Sequence, residues 1–110
     1  MTLNDLIEET GWTLVTEAAD LEKEIEGAYC GDLLSWVMGN GEPGQAWITV
    51  QIHMNAVAVA KLREFSCIIL ADNAAITEDV IAKAEEEDLA IIESAIPVFE
   101  TAKALVELGI

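Results

Sequence analysis

Positive charge is scarce in this chain. Five Lys and Arg stand against 21 Asp and Glu, for a net charge of −16. Nucleic-acid affinity rests on neutralising phosphates, so a chain without a basic patch is excluded from that class. An anionic membrane surface is disfavoured for the same reason. Histidine is reduced to His53 and cysteine to Cys30 and Cys67, which form no Cys-x-x-Cys pair. That inventory predicts no metal site and two buried, reduced thiols. Aromatic residues make up only 5% of the chain, so the core must be built from Ala, Val, Ile and Leu. No apolar run is long enough to span a bilayer. The start, Met1-Thr2-Leu3-Asn4-Asp5, has neither the basic residues nor the apolar run of a secretion signal, so a cytoplasmic protein is expected.

Catalytic templates are missing as well. There is no G-x-x-x-x-G-K-[ST] loop and no G-x-S-x-G elbow. Gly39-Asn40-Gly41 opens like a dinucleotide fingerprint, but Gln45-Ala46 follow Gly44 and lead into a strand. No cofactor is implied.

What the chain does have is hydrophobic content, 53% of 110 residues, which suits one domain over residues 1–110 with a substantial core. Thr2 predicts the cap of a helix over Leu3–Glu9, stopped at Gly11. Trp12–Val15 reads as a short strand and 16–24 as an exposed connection. Ile25–Cys30 reads as a strand with Gly27 inside it, and Asp32 as the cap of an apolar helix over Leu33–Met38. Gly39–Gly44 is the strongest turn signal.

The second half alternates. Ala46–Gln51, Phe65–Ala71 and Leu89–Ile92 read as strands, with helices over Met54–Arg63, from Thr77 to the acidic run Glu85–Asp88, and from Pro97 to Gly109. The last helix has the apolar stripe Val98, Phe99, Ala102, Leu105 and Val106. Four acids closing a helix oppose its dipole and predict fraying or a nearby cation. Right-handed crossovers between such units give parallel strands. The expected class is therefore α/β, a compact layered sheet that is largely parallel in its second half and flanked by helices.

Parallel strands gather distant residues at their carboxyl ends, where open α/β sheets bind ligands. Asp32, His53, Asn55, Asp72, Asn73 and Ser94 all follow strand segments. They form the candidate ligand-binding edge for a small polar or phosphorylated molecule, near exposed helix N-termini. His53 lies at the hinge Gln51-Ile52-His53, is not needed as a cap, and titrates in a useful range. Asp32, Asn73 and Ser94 also suit plain cap and turn roles.

The segments 21–27 (LEKEIEG), 29–38 (YCGDLLSWVM), 46–55 (AWITVQIHMN) and Ile68-Ile69-Leu70 together resemble the DRTGG domain family, and residues 1–9 resemble its short stand-alone members. The likeness covers nearly the whole chain. It implies a compact α/β domain similar to the N-terminal domain of HPr kinase/phosphorylase. Relatives are fused to CBS-domain inorganic pyrophosphatases and phosphotransacetylases, where they look regulatory and contribute to subunit contacts. The kinase's phosphate-binding loop belongs to another domain and has no counterpart here. The family's Asp-Arg start is Glu22-Lys23 in this chain, and its paired glycines are Gly27-Ala28.

The expected function is a non-catalytic regulatory or interaction module, with ligand sensing at the strand-end edge. The alternatives are a small enzyme using His53 with Asp32 or Asp72 as acid and base, and a structural subunit that binds a basic partner protein. A homodimer is expected, because the apolar helices 33–38 and 54–63 need more cover than one small domain supplies.

Overall fold

The protein is described by a computed structural model covering all residues except Ala18 and Ile52. The first helix, α1 (Leu3–Thr10), is set by its ends. The Thr2 hydroxyl accepts from the Asp5 N–H at 3.1 Å, and the Asp5 carboxylate accepts from the Thr2 N–H at 3.0 Å. This reciprocal box satisfies two otherwise orphaned donors. The Thr2 N–H first, and its hydroxyl second, hold the Asp5 carboxyl below its ordinary range, so the cap is intact above the normal Asp pKa and weakens as pH falls through the lowered one. Gly11, at φ 73°, closes the helix in the left-handed region that favours glycine.

Five strands form one sheet: β1 (Thr13–Leu14), β2 (Gly27–Cys30), β3 (Gln45–Thr49), β4 (Cys67–Leu70) and β5 (Ala90–Glu93). The order is β1-β5-β4-β3-β2; β2 to β5 are parallel, and only β1 runs antiparallel, against β5. Four helices complete the chain: α2 (Leu34–Asn40), α3 (Met54–Leu62), α4 (Glu78–Glu86) and α5 (Val98–Glu107).

Strand alternation divides the core in two. One row, Tyr29–Trp47–Ile68–Ile91, runs in register across the sheet and packs with Val37 of α2, Ala56, Val57, Val59 and Ala60 of α3, and Val80 and Ala84 of α4. The rows Ala46–Cys67–Ala90 and Ile48–Ile69–Ile92 face the other way, against Leu3 and Leu6 of α1 and Leu105 of α5. β4 is buried on both faces, as an internal parallel strand must be. The α/β class and the parallel second half expected from the sequence are thus observed.

Several local expectations are corrected. Asp32 does not cap α2; Leu33 occupies that position, without a side-chain bond. Thr77 does occupy the N-cap of α4, but its hydroxyl donates to the Asp79 carboxylate instead of accepting from the backbone. The stripe of α5 holds in part: Leu105 is buried and Val98 and Ala102 pack against the core, joined by the buried Thr101, while Phe99 and Val106 are 74% and 70% exposed. The 16–24 connection is not wholly exposed, since Thr16 is buried and accepts from the Ile91 N–H at 3.0 Å. The acidic end of α4 does have its cation: Lys83, on the helix itself, lies 3.7 Å from Glu86 and 3.2 Å from Glu87.

The two thiols differ. Cys67 is buried, and burial pushes its pKa up to about 12. Cys30 is exposed, contrary to the burial expected from its apolar run, because β2 is an edge strand with only one covered side. Partial burial and then the nearby Asp32 charge raise its pKa too. Iodoacetamide at mildly alkaline pH is expected to add one group to the folded chain, at Cys30, and a second only in denaturant. Peptide mass spectrometry checks this, and modification of Cys67 in the folded chain would contradict it.

Candidate functional site

Three parallel ladders in register bring the carboxyl ends of β2 to β5 to one rim. The Gly31 N–H donates to Ile48, the Ala71 N–H to Thr49 and the Ser94 N–H to Leu70, so the chain leaves the sheet at a common level. Asp32, the start of α3 with His53 and Asn55, Asp72-Asn73, and Ser94 all follow those ends.

Each residue is held differently. The Asp32 Oδ1 accepts from the Thr49 hydroxyl at 2.7 Å and from the Val50 N–H at 2.9 Å. The Gln51 amide donates to the Asp32 carbonyl at 2.9 Å. Asp32 therefore ties the exit of β2 to the exit of β3. His53 is the N-cap of α3, and its Nδ1 accepts from the Asn55 N–H at 3.1 Å. This corrects the expectation that it is not needed as a cap. A neutral ring that accepts at Nδ1 carries its proton on Nε2. Of the hinge 51–53, Ile52 lies outside the described residues.

Asp72 and Asn73 are exposed and take φ values of 57° and 53°, two successive left-handed residues that suit Asp and Asn. The Asp72 N–H donates to the Ile96 carbonyl at 2.8 Å. Ser94 is buried; its hydroxyl shares a 2.8 Å hydrogen bond with that of Thr101, which also donates to the Pro97 carbonyl. It is therefore directed inward, into the start of α5. Asp32, His53, Asn55, Asp72 and Asn73 remain exposed at the rim.

Sequence reasoning passed over Thr49 and Gln51. Thr49 is fully buried at the last position of β3, and its hydroxyl both donates to Asp32 and accepts from the Gln51 N–H at 3.1 Å. One signal was present: Thr49 is a polar residue interrupting the otherwise apolar run Ala46–Val50. Near the rim, the Thr77 hydroxyl is the main influence lowering the Asp79 pKa, with a smaller one from His53.

None of the described cavities opens at the rim. The strand order β2-β3-β4-β5 advances without reversal, so this part of the sheet has no topological switch point, the feature that opens a crevice in doubly wound folds. The three cavities described, of about 400, 390 and 340 Å³, are lined by none of Asp32, His53, Asn55, Asp72, Asn73 or Ser94. Among the described residues no cluster of three or more His, Cys, Asp and Glu is placed to hold a metal ion.

The sequence matches no protein-family model and no curated protein. The fold does match solved structures. One is the crystal structure of the CBS and DRTGG domains of the regulatory region of Clostridium perfringens pyrophosphatase, complexed with its activator, diadenosine tetraphosphate. The likeness has a TM-score of 0.69 and covers 96% of this chain at 13% identity. This chain spans 45% of that one. At such identity the likeness is one of fold: the architecture occurs within a regulatory region.

Proposed function

We propose that residues 1–110 act as a single DRTGG-like regulatory module of the cytoplasm, one that senses a small polar or phosphorylated ligand along the rim of Asp32, His53, Asn55, Asp72 and Asn73. The observation that carries this reading is the fold match over nearly the whole chain to a regulatory region crystallised with a nucleotide activator. The rim adds exposed donors and acceptors beside the N-terminus of α3, an arrangement that favours a partly anionic group. No helix among the described residues is long and apolar enough to cross a membrane.

The acid–base enzyme is the weaker reading: among the described residues no hydrogen bond joins His53 to Asp32 or Asp72. Asp32 is engaged by Thr49 and Val50, and the hydrogen bond of His53 is to its own helix. Catalysis by the pair would require each within reach of a common proton.

Thermal-shift assays of the full chain with ATP, diadenosine tetraphosphate and inorganic phosphate test the sensing. At least one of the three is expected to raise the melting temperature in a dose-dependent way, by binding the folded state alone. His53→Asn keeps a residue able to cap α3 and removes the imidazole; it is expected to diminish that rise. No rise with any of the three probes, or an undiminished rise in His53→Asn, overturns the rim reading.

The module is proposed to work as a homodimer. Within one copy α3 buries Ala56, Val57, Val59 and Ala60 but leaves Met54 and Leu62 40% and 65% exposed, and at α2 Leu33 and Trp36 are 66% and 64% exposed. Light scattering at micromolar concentration is expected to give twice the 11.9 kDa chain mass, and Trp36→Glu to halve it. A monomer in the unaltered chain removes the dimer.

A further inference from the structure

One cavity, of about 400 Å³, lies at the opposite end of the sheet from the rim. Its walls come from segments that enter strands: Lys23, Glu24 and Glu26 before β2, Gly44 before β3, Glu64, Phe65 and Ser66 before β4, and Leu89 before β5, with Ala60 and Lys61 from the end of α3. The volume falls within the range of small-ligand sites.

Its chemistry is unlike the rest of the molecule. Two of the chain's five cationic side chains, Lys23 and Lys61, line it. Ion pairs among the described residues join Met1 to Glu24 and Lys83 to Glu86 and Glu87. Lys23, Lys61, Glu26 and Glu64 are thus left out of any ion pair, two charges of each sign around one opening. Below them the floor is apolar, formed by the buried Ala60, Phe65 and Leu89. One buried hydroxyl, that of Ser66, has as its only recorded side-chain partner the weak acceptor Cys67 Sγ at 4.0 Å.

A simple anion entering this space meets two free carboxylates, and a simple cation meets two free ammonium groups. A molecule with both charges meets complementary partners at each end. The geometry points to a binding site for a small amphoteric molecule of the α-amino-acid type with an apolar side chain. Its carboxylate lies toward Lys23, Lys61 and the Ser66 hydroxyl, its ammonium toward Glu26 and Glu64, and its side chain on Phe65 and Leu89. The site shares no residue with the rim and stands or falls separately from it.

Titration calorimetry on the full chain tests this with L-leucine and L-phenylalanine as probes. N-acetyl-L-leucine keeps only the carboxylate, and L-leucinamide keeps only the ammonium. At least one amino acid is expected to bind saturably at one site. Both single-charge analogues are expected to bind at least about tenfold more weakly, the loss of roughly one charged contact. Lys61→Met and Glu26→Gln, both at exposed positions, are expected to weaken the amino acid by a similar factor. Lys103→Met, in the separate depression between α1 and α5, is expected to change nothing. Circular dichroism confirms folding of each variant, and Lys61→Gln replaces Lys61→Met if that chain does not fold. The proposal is overturned if neither amino acid binds at about 10 mM. It is equally overturned if either single-charge analogue binds as well as the amino acid, or if the Lys61 and Glu26 variants bind like the unaltered chain.

Discussion

Trp47→Ala is expected to destabilise the chain by about 4–6 kcal/mol. Trp47 is fully buried at the middle of β3 and belongs to the row Tyr29–Trp47–Ile68–Ile91 that supports α2, α3 and α4. Its ring lies 5.7 Å from that of Phe65, tilted by 47°, and its indole N–H donates to the Gly31 carbonyl at 2.9 Å. Truncating a buried Trp to Ala costs about 3–5 kcal/mol in lost transfer and cavity terms. The freed carbonyl adds a smaller term of about 1 kcal/mol. A small domain has about 5–15 kcal/mol in total, so the loss takes much of it. Trp47→Phe keeps the ring against Phe65 and loses the N–H, and is expected to cost less than half as much. Urea denaturation followed by circular dichroism measures both; a Trp47→Ala midpoint close to that of the unaltered chain would refute the central place given to this side chain.

The central strands were legible because burial on both faces writes itself into composition. Ile68-Ile69-Leu70 has no polar face to hide, and each neighbouring helix follows within a short connection, which forces parallel pairing. The edge strands were legible as strands, since Trp12–Val15 and Ile25–Cys30 contain β1 and β2, but nothing local showed that the two-residue β1 pairs antiparallel with β5. The α5 stripe was misplaced at Phe99 and Val106 alone. Thr101 reads as polar, yet its hydroxyl is satisfied by Ser94 and by the Pro97 carbonyl, which lets it face the core while Phe99 turns outward. Gly41 shows a constraint of another kind. Its φ of −68° is open to any residue, but a Cβ there would fall on the Phe65 ring. Nothing in the sequence marks that approach.

For the candidate site, residue type and position relative to strands located the rim, and bonding decided what each residue does there. Asp before an apolar helix is most often a cap, and here it reaches sideways to the next strand instead. The cavity at the other end could not have been read from the sequence at all. Its members are spread from Lys23 to Leu89, and only the parallel sheet brings their four strand entrances together.

Asp32→Ala is expected to be the costliest change at the rim, through a residue other than Asp32 itself. The carboxylate is exposed, but the Thr49 hydroxyl that donates to it is wholly buried. Removing the acceptor strands that hydroxyl, at about 1–3 kcal/mol. It also frees the Val50 N–H and uncouples the exits of β2 and β3. For a domain of about this size, 1 kcal/mol is roughly 4–8 °C in melting temperature, so a drop of about 10 °C is expected. Asp32→Asn separates bonding from charge, because an amide oxygen accepts the same two hydrogen bonds; it is expected to melt within a few degrees of the unaltered chain. The double variant Asp32→Ala with Thr49→Val removes the stranded hydroxyl and is expected to recover part of the loss, a coupling that a double-mutant cycle reads directly. If Asp32→Asn falls as far as Asp32→Ala, the negative charge is what matters, and the carboxylate must then be counted among the groups facing a ligand instead of those that join the strands.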